Sequence, residues 1–324
     1  MKINFIGNFQ RGYVEEVADE THLVRELKKL GHKVTAVPRD QWKAFVDGRT
    51  QNPDWVLPKE ADINIICKWP HFNDEKYIDY LRSESNAPVF YWVWDFMDYN
   101  IGGFHRTMSE ACDLLLTGEG AKIQELKKYG INARYFQFDV CDGNFSRNRA
   151  NVTEGSKKYK VAFFGSHFKV GDRLEWIKEI NKTHKVTIFS WNYKEWLKEG
   201  LEAYPAVWGD ELTEKINQSK IILGFNVNDH CWGYWSNRVG KVLTRGGFLL
   251  QRYVPGMELF LQDGAEYFSS VEEANQKIEY YLTNTTKRSA ISSRGSIIGR
   301  MRFTSEVKVK QLEILIERYL NHGI

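Results

Sequence analysis

Residues 236–268 hold a group of side chains suited to gripping an anion. Arg238, Lys241 and Arg245 sit on a segment that begins with Ser236 and Asn237 and stops at Gly246 and Gly247. Ser and Asn are good helix N-caps and glycine is a common helix stop, so the spacing predicts a helix from about Ser236 to Gly246. At about 100° per residue the three cations fall on one arc, with Val239, Val242 and Leu243 on the adjacent one. Free N–H groups and the macrodipole favour anions at a helix start, and added cations make it a phosphate seat. The apolar run 248–251 and the Pro255–Gly256 loop then follow on the same edge. This reads as half of a nucleotide-diphosphate pocket. A solvated basic face closed by ordinary glycine punctuation has the same spacing.

Other residues offer matching chemistry. Gly165 and Ser166 end an apolar run, with Lys169 and Arg173 leading into the following helix. The carboxyl edge of an open α/β sheet is where ligands bind, and a guanidinium fork suits phosphate. Trp208, after Val207, has a face that would stack on a base or fill a core, and Trp191 poses the same pair of options. On the amino-terminal side, Asp19 opens a helix and is most simply its N-cap. His22 lies in the next turn and carries an imidazole that titrates near neutrality, facing the presumed cleft. Asp95 follows a buried-looking aromatic run and would act as a general base toward a hydroxyl. His71 and His105 are single histidines with incidental or structural roles. Cys67, Cys112, Cys141 and Cys231 are dispersed with no CxxC, which fits reduced thiols and excludes a zinc site built on paired cysteines.

The order Ser236, Arg238, Gly246, Gly247, Pro255, Gly256, Glu258, Gly264 and Glu266 resembles the donor-binding region of GT-B glycosyltransferases of the group-1 and CgeB-like type. The resemblance implies two doubly wound, Rossmann-like α/β domains facing a central cleft. It implies transfer of a sugar from a nucleotide-diphosphate sugar, a UDP- or GDP-sugar, to an acceptor hydroxyl on a glycan, lipid, protein or modified DNA base. No separate cofactor and no metal are implied, and retention of anomeric configuration is. Gly165, Ser166, Arg173, Ser236, Asn237, Arg238 and Lys241 would then surround the diphosphate. Val207 and Trp208 would hold the base, and Asp229, His230 and Glu258 would lie near the base or sugar. Asp95, His22 and Asp19 would serve the acceptor side. Asp95 and Asp98 do not form the Asp-x-Asp metal signature of the other large transferase fold.

One position departs from the family. Lys241 stands where relatives carry a ribose-binding glutamate, and an ammonium has no acceptor for ribose hydroxyls. Either Lys241 binds phosphate or the donor sits differently. A GT-B protein that binds nucleotide sugar or polyanion without transfer, and a GT-B epimerase or phosphorylase, are the alternatives.

Length and composition frame these sites. The chain has 324 residues, 42% hydrophobic and 27% charged, with a net charge of only +3. That fits two globular domains and excludes a global field for nucleic acid. Eleven Trp, sixteen Tyr and nineteen Phe suit stacking pockets and large cores alike. The cations are uneven: Lys287, Arg288, Arg294, Arg300, Arg302, Lys308 and Lys310 face one acid, Glu306, which is a soluble helix face or a site for DNA or a membrane surface. The amino-terminal apolar run is too short for a signal peptide and no apolar stretch reaches 18 residues, so a cytoplasmic protein is expected.

Short apolar runs alternate with helical patterns through residues 1–150, the expected acceptor-binding domain. Strands are expected at 2–6, 33–37, 62–67, 89–94, 113–117 and 133–138. A linker at 142–158 leads to the expected donor-binding domain, 157–304, with strands at 160–164, 186–189, 205–208, 220–225 and 248–251. Helices are expected at 272–282 and 307–319, the terminal helix (about 305–324) packing back on the first domain. Such alternation predicts parallel sheets covered on both faces.

Overall fold

In the computed structural model the chain divides into two compact units, Met1–Phe138 with Val309–Ile324, and Asp139–Lys308. The structure describes residues 1–9, 19–51, 57–67, 72, 74–94, 105–137, 141, 154–168 and 171–323.

Unit 1 runs β1 (Lys2–Gly7), α1 (Asp19–Lys29), β2 (Lys33–Pro38), α2 (Arg39–Val46), β3 (Ile63–Cys67), α3 (Lys76–Glu84), β4 (Val89–Val93), α4 (His105–Ala111), β5 (Leu114–Thr117), α5 (Ile123–Lys128) and β6 (Ala133–Tyr135). The strands form one six-stranded sheet in the order β2-β1-β3-β4-β5-β6, every pair parallel. Sequences such as INIIC and VFYWV are buried along their whole length, as strands covered on both faces must be. Trp42, Tyr77, Ile78 and Leu126 pack on one face against Ile66, Tyr91 and Leu115. Gly31 takes φ 89° after α1, the left-handed turn that only glycine adopts cheaply.

Unit 2 runs β7 (Tyr159–Phe164), α6 (Arg173–Thr183), β8 (Val186–Ser190), α7 (Tyr193–Lys198), β9 (Ala203–Pro205), α8 (Gly209–Asn217), β10 (Ser219–Gly224), α9 (Arg238–Thr244), β11 (Leu249–Arg252), α10 (Met257–Leu261), β12 (Glu266–Phe268), α11 (Val271–Thr283) and α12 (Thr285–Arg302). Its six strands are also all parallel, in the order β12-β11-β10-β7-β8-β9. Two clusters sandwich the sheet, one with Phe163, Ile177, Trp196, Phe225 and Phe268, the other with Ile216, Ile222, Val239, Val242 and Leu249. The last helix, α13 (Ser305–His322), belongs to unit 1 from Val309 onward, where Tyr319 meets Phe90 edge-on at 5.0 Å and Glu313 pairs with His32 at 2.9 Å.

The differences from the sequence expectation include three larger ones. The strand expected over 205–208 is Ala203–Pro205, because proline brings no N–H to continue a ladder. Most of the expected linker, residues 142–153, lies outside the described residues, and 154–156 form one 3₁₀ turn. The third difference is α12, 18 residues of helix in a segment where none was expected. Its sequence, TTKRSAISSRGSIIGRMR, is rich in Ser and Gly and has no clean apolar stripe. Gly295 and Gly299 each cost about 1 kcal/mol in a helix interior. They are tolerated because they let α12 lie backbone to backbone on its neighbours. A Cβ on Gly295 would collide with the Gly264 carbonyl, and one on Gly299 would stand 2.8 Å from the Thr244 nitrogen.

Candidate functional site

In unit 2 the chain builds outward from β7 through β8 and β9, then returns to the other side with β10. Ligands of open α/β sheets bind at the carboxyl ends of the strands flanking such a reversal. Arg238, the first residue of α9, occupies this point. Its Nε donates to the Phe164 carbonyl at the end of β7, and its Nη1 donates to the Phe225 carbonyl, just past β10, at 2.6 Å. Nη1 also reaches Ser236 Oγ at 3.2 Å. One guanidinium therefore ties both strands of the switch. Gly165 has to be glycine here: a Cβ would collide with Arg238 Nη2 and come within 2.7 Å of the Phe163 ring.

Arg173, from the start of α6, converges on the same place. It is buried, and its Nη2 donates to the Ser166 carbonyl at 2.6 Å, while its Nε is enclosed with no hydrogen-bond partner. The Arg238 and Arg173 guanidiniums lie 4.7 and 5.7 Å from the centre of one ring, Phe163, and Arg173 is 5.1 Å from Phe168. Burial pushes both below the ordinary arginine range, and for Arg238 the charge of Arg173 adds to the effect. Neither hydrogen-bonds to a carboxylate among the described residues. Two buried cations, Arg238 lowered further by the charge of Arg173, with a free donor between apolar rings, make a ready anion seat.

The surrounding loops are braced. Asn226 accepts from the Ser236 N–H at 2.9 Å and reaches Asp229 Oδ1 at 3.4 Å. Asp229 is buried and its carboxyl is pushed up to about 6, burial outweighing the pull of Arg252 at 3.1 Å. Arg252 in turn lies over Trp176 at 3.9 Å and makes a two-point contact with Asp172. Gly256 sits at φ 90°, and a Cβ there would stand 2.5 Å from Trp232 Nε1, so the Pro255–Gly256 loop and the 229–235 loop are pressed together. The same edge collects exposed aromatics: Phe168 after β7, Trp191 after β8, Tyr204 at β9, Trp232 after β10 and Tyr253 after β11. Trp191 and Trp208 are paired at 4.8 Å with a 46° tilt.

The residues singled out from sequence fall as follows. Gly165, Ser166, Arg173, Ser236 and Arg238 come together at the switch, with Asp229 beside them. Val207 is buried, and Trp208 is half-buried at the N-cap of α8. His230 is exposed, its backbone held by Asn228 Oδ1 at 2.8 Å, and Glu258 is exposed in the first turn of α10. The expected cationic arc divides. α9 is only seven residues long, and Asn237 at its N-cap has helical dihedrals and no side-chain cap bond. The Arg238 side chain, more than the end of so short a helix, is the group here able to meet an anion. Lys241 is half-buried one turn on. Arg245 is buried at the far end, donating to Thr213 Oγ1 at 3.0 Å and toward Cys141 Sγ at 2.9 Å.

In unit 1 the reversal lies between β1 and β3. Asp19 is the first residue of α1. His22 is 4% exposed. Between them lies Glu20, which the sequence reading passed over. It is 4% exposed, accepts from the Asn8 N–H at 3.1 Å at the end of β1, and stands 4.0 Å from Arg39. Burial raises its carboxyl to about 7. An acid in a first helical turn looks like routine dipole chemistry in sequence, so no local signal separated Glu20 from Asp19. His105 is buried and bonded to the Tyr91 hydroxyl at 2.7 Å, a structural role. Asp95, Asp98, His71 and Lys169 lie outside the described residues. Among the described residues no group of three or more His, Cys, Asp or Glu comes together as a metal site, and no helix is long and apolar enough to cross a membrane.

The glycosyl transferase-like family model matches residues 172–313, which include Arg173, the 229–235 loop and Arg238. Sucrose-phosphate synthase from Thermosynechococcus elongatus superposes with a TM-score of 0.68 at 9% identity, covering 99% of each chain. The DNA-modifying enzyme β-glucosyltransferase, solved with and without uridine diphosphoglucose, gives 0.68 at 14% identity over 98% of this chain and 100% of its own. Anabaena HepE in complex with UDP gives 0.65 at 11% identity over 98% and 100%. No curated protein matches the chain by sequence. The protein has the GT-B glycosyltransferase fold, and the match to the glycosyl transferase-like family model falls mostly within its second unit.

Proposed function

We propose that the protein transfers a sugar from a nucleotide-diphosphate sugar to an acceptor hydroxyl, with unit 2 holding the donor. The observation that carries this reading is the pair Arg173 and Arg238 at the switch of sheet 2, buried on one phenylalanine ring with no carboxylate among the described residues bonded to either. As the bond to the sugar breaks, negative charge builds on the departing diphosphate, and preorganised guanidiniums stabilise it without reorganising. In this reading the arginines do the work that a divalent metal does elsewhere, and Trp191 and Trp208 receive the base. Asp229, protonated up to about pH 6, sits where a sugar hydroxyl would meet it. Solved neighbours of the same fold bind UDP and UDP-glucose, which makes a UDP-sugar the first donor to try. Retention and the CgeB-like affiliation rest on the motif order around Arg238, with Asp95 as base on the acceptor side.

Calorimetry against UDP- and GDP-sugars tests the donor site directly. The protein should bind at least one, release nucleoside diphosphate slowly from it, and release it faster when the acceptor is supplied. Asp95→Asn should keep donor affinity and lose transfer. If no nucleotide sugar binds, or if Arg238→Ala binds as tightly as the native chain, the donor site is elsewhere.

A further inference from the structure

The helix hidden in the sequence, α12, has two faces. Ile291, Gly295, Ile298 and Gly299 are buried on the rest of unit 2. The opposite face shows Ile297 at 60% and Met301 at 69% exposure, one turn apart, and α10 adds Leu259 at 61%. Arg302 holds α10 alongside, donating to the Leu259 carbonyl at 3.2 Å. Cations border the apolar residues: Lys287 and Arg294 toward one side, Arg300 toward the other, with Arg302 at the α10 junction. Arg288, the remaining cation of the helix, is buried and bonded to Glu154, so it takes no part. Between Thr285 and Arg302 there is no acidic residue; on α10 one exposed acid, Glu258, precedes Leu259, and Asp263 is paired with Arg294 at 2.7 Å.

We infer that this face of α12 and α10 is a docking surface for an anionic lipid membrane. Three features choose the occupant. Apolar side chains this exposed, ringed by cations, match the boundary between lipid headgroups and acyl chains, where both kinds of group find partners. A second copy of the chain would bring like charges together across the contact, which opposes self-association. Nucleic acid would satisfy the cations but leave Ile297, Met301 and Leu259 in water, since phosphate gives aliphatic groups nothing to bury against. The attachment is peripheral: the side chains of α12 enter the interface while its other face stays packed on unit 2. This inference is independent of the donor site.

The test is sedimentation of the full chain with phosphatidylcholine vesicles, and with vesicles that also contain phosphatidylglycerol, at low and high salt. The protein should pellet with the anionic vesicles only, and less at high salt. The double variant Ile297→Asp with Met301→Asp should weaken vesicle binding by roughly tenfold or more, the scale for two buried aliphatic side chains. Lys287→Glu with Arg300→Glu should weaken it similarly. Native-like thermal unfolding and unchanged nucleotide-sugar affinity confirm that the variants fold. If the aspartate pair does not fold, Ile297→Ser with Met301→Ser makes the same test. No pelleting with anionic vesicles overturns the proposal. So does binding to duplex or single-stranded DNA that the apolar variants leave intact, since the face would then be a polyanion site.

Discussion

The two sheets of this protein share one plan and bury opposite kinds of ionisable group, an acid and a pair of bases, where each plan turns. Sheet 1 reverses between β1 and β3, sheet 2 between β7 and β10, and in both the chain enters a helix close to the first of these strands. At the first reversal a buried carboxyl group, Glu20, accepts from the Asn8 N–H, with Arg39 4.0 Å away. At the second it is a pair of guanidiniums, Arg173 and Arg238, held by backbone carbonyls. The parallel-sheet edge supplies both donors and acceptors, and it accommodates an acid or a base. Architecture sets where a ligand site can be, and the side chain placed there sets what it takes.

That contrast can be broken from either side. Glu20 keeps its proton to about pH 7 in the folded protein, whereas its ordinary value is 4.5. A carboxyl raised in the native state makes stability fall as pH climbs from about 4.5 to 7, then level off. Glu20→Gln should flatten that slope and raise stability above pH 7 by up to roughly 3 kcal/mol, measured by thermal unfolding across pH. A slope that persists in the variant would mean the carboxylate is already well solvated. Arg238→Ala should weaken nucleotide-sugar binding by roughly 1–3 kcal/mol, the scale of a charge-assisted hydrogen bond, while the pH profile set by Glu20 stays as it was.

Two smaller changes sharpen the description of the cationic side. Gly256→Ala forces an alanine to φ 90° against Trp232 and should cost about 1–2 kcal/mol of stability. A neutral melting temperature would show that the Pro255–Gly256 loop rearranges freely. Lys241→Glu restores the residue that related donor sites carry, and a change in preference among UDP-, GDP- and ADP-sugars is the expected outcome. Unchanged preference would place Lys241 away from the ribose.

Much of unit 2 was legible from local pattern. Its apolar runs are short and fully buried, and Gly246 at φ 76° ends α9 where the Gly-Gly pair predicts. Arg173 and Arg238 were singled out as cations at helix starts, and the fold brings both guanidiniums to the Phe163 ring. Lys241 and Arg245 show the limit of that reasoning. They share an arc with Arg238 on a helical wheel, yet Arg245 turns inward to Thr213 and Cys141 at the far end of a short helix. Periodicity gives an angle around the axis and says nothing about what waits at each height along it.

The sequence alone settled the alternation of strand and helix, because burial on both faces of a parallel sheet leaves an uninterrupted apolar signature in each strand. It also settled the helix stops, where only glycine reaches positive φ without strain. Tertiary structure decided the rest. α12 exists because Gly295 and Gly299 allow close approach to Gly264 and Thr244, a gain that no local propensity contains. Glu20 differs from Asp19 only through its burial, and the two arginines form a site only because the sheet reverses between strands far apart in the chain. Desolvation and convergence are properties of the folded surroundings, and a residue's neighbours in sequence do not carry them.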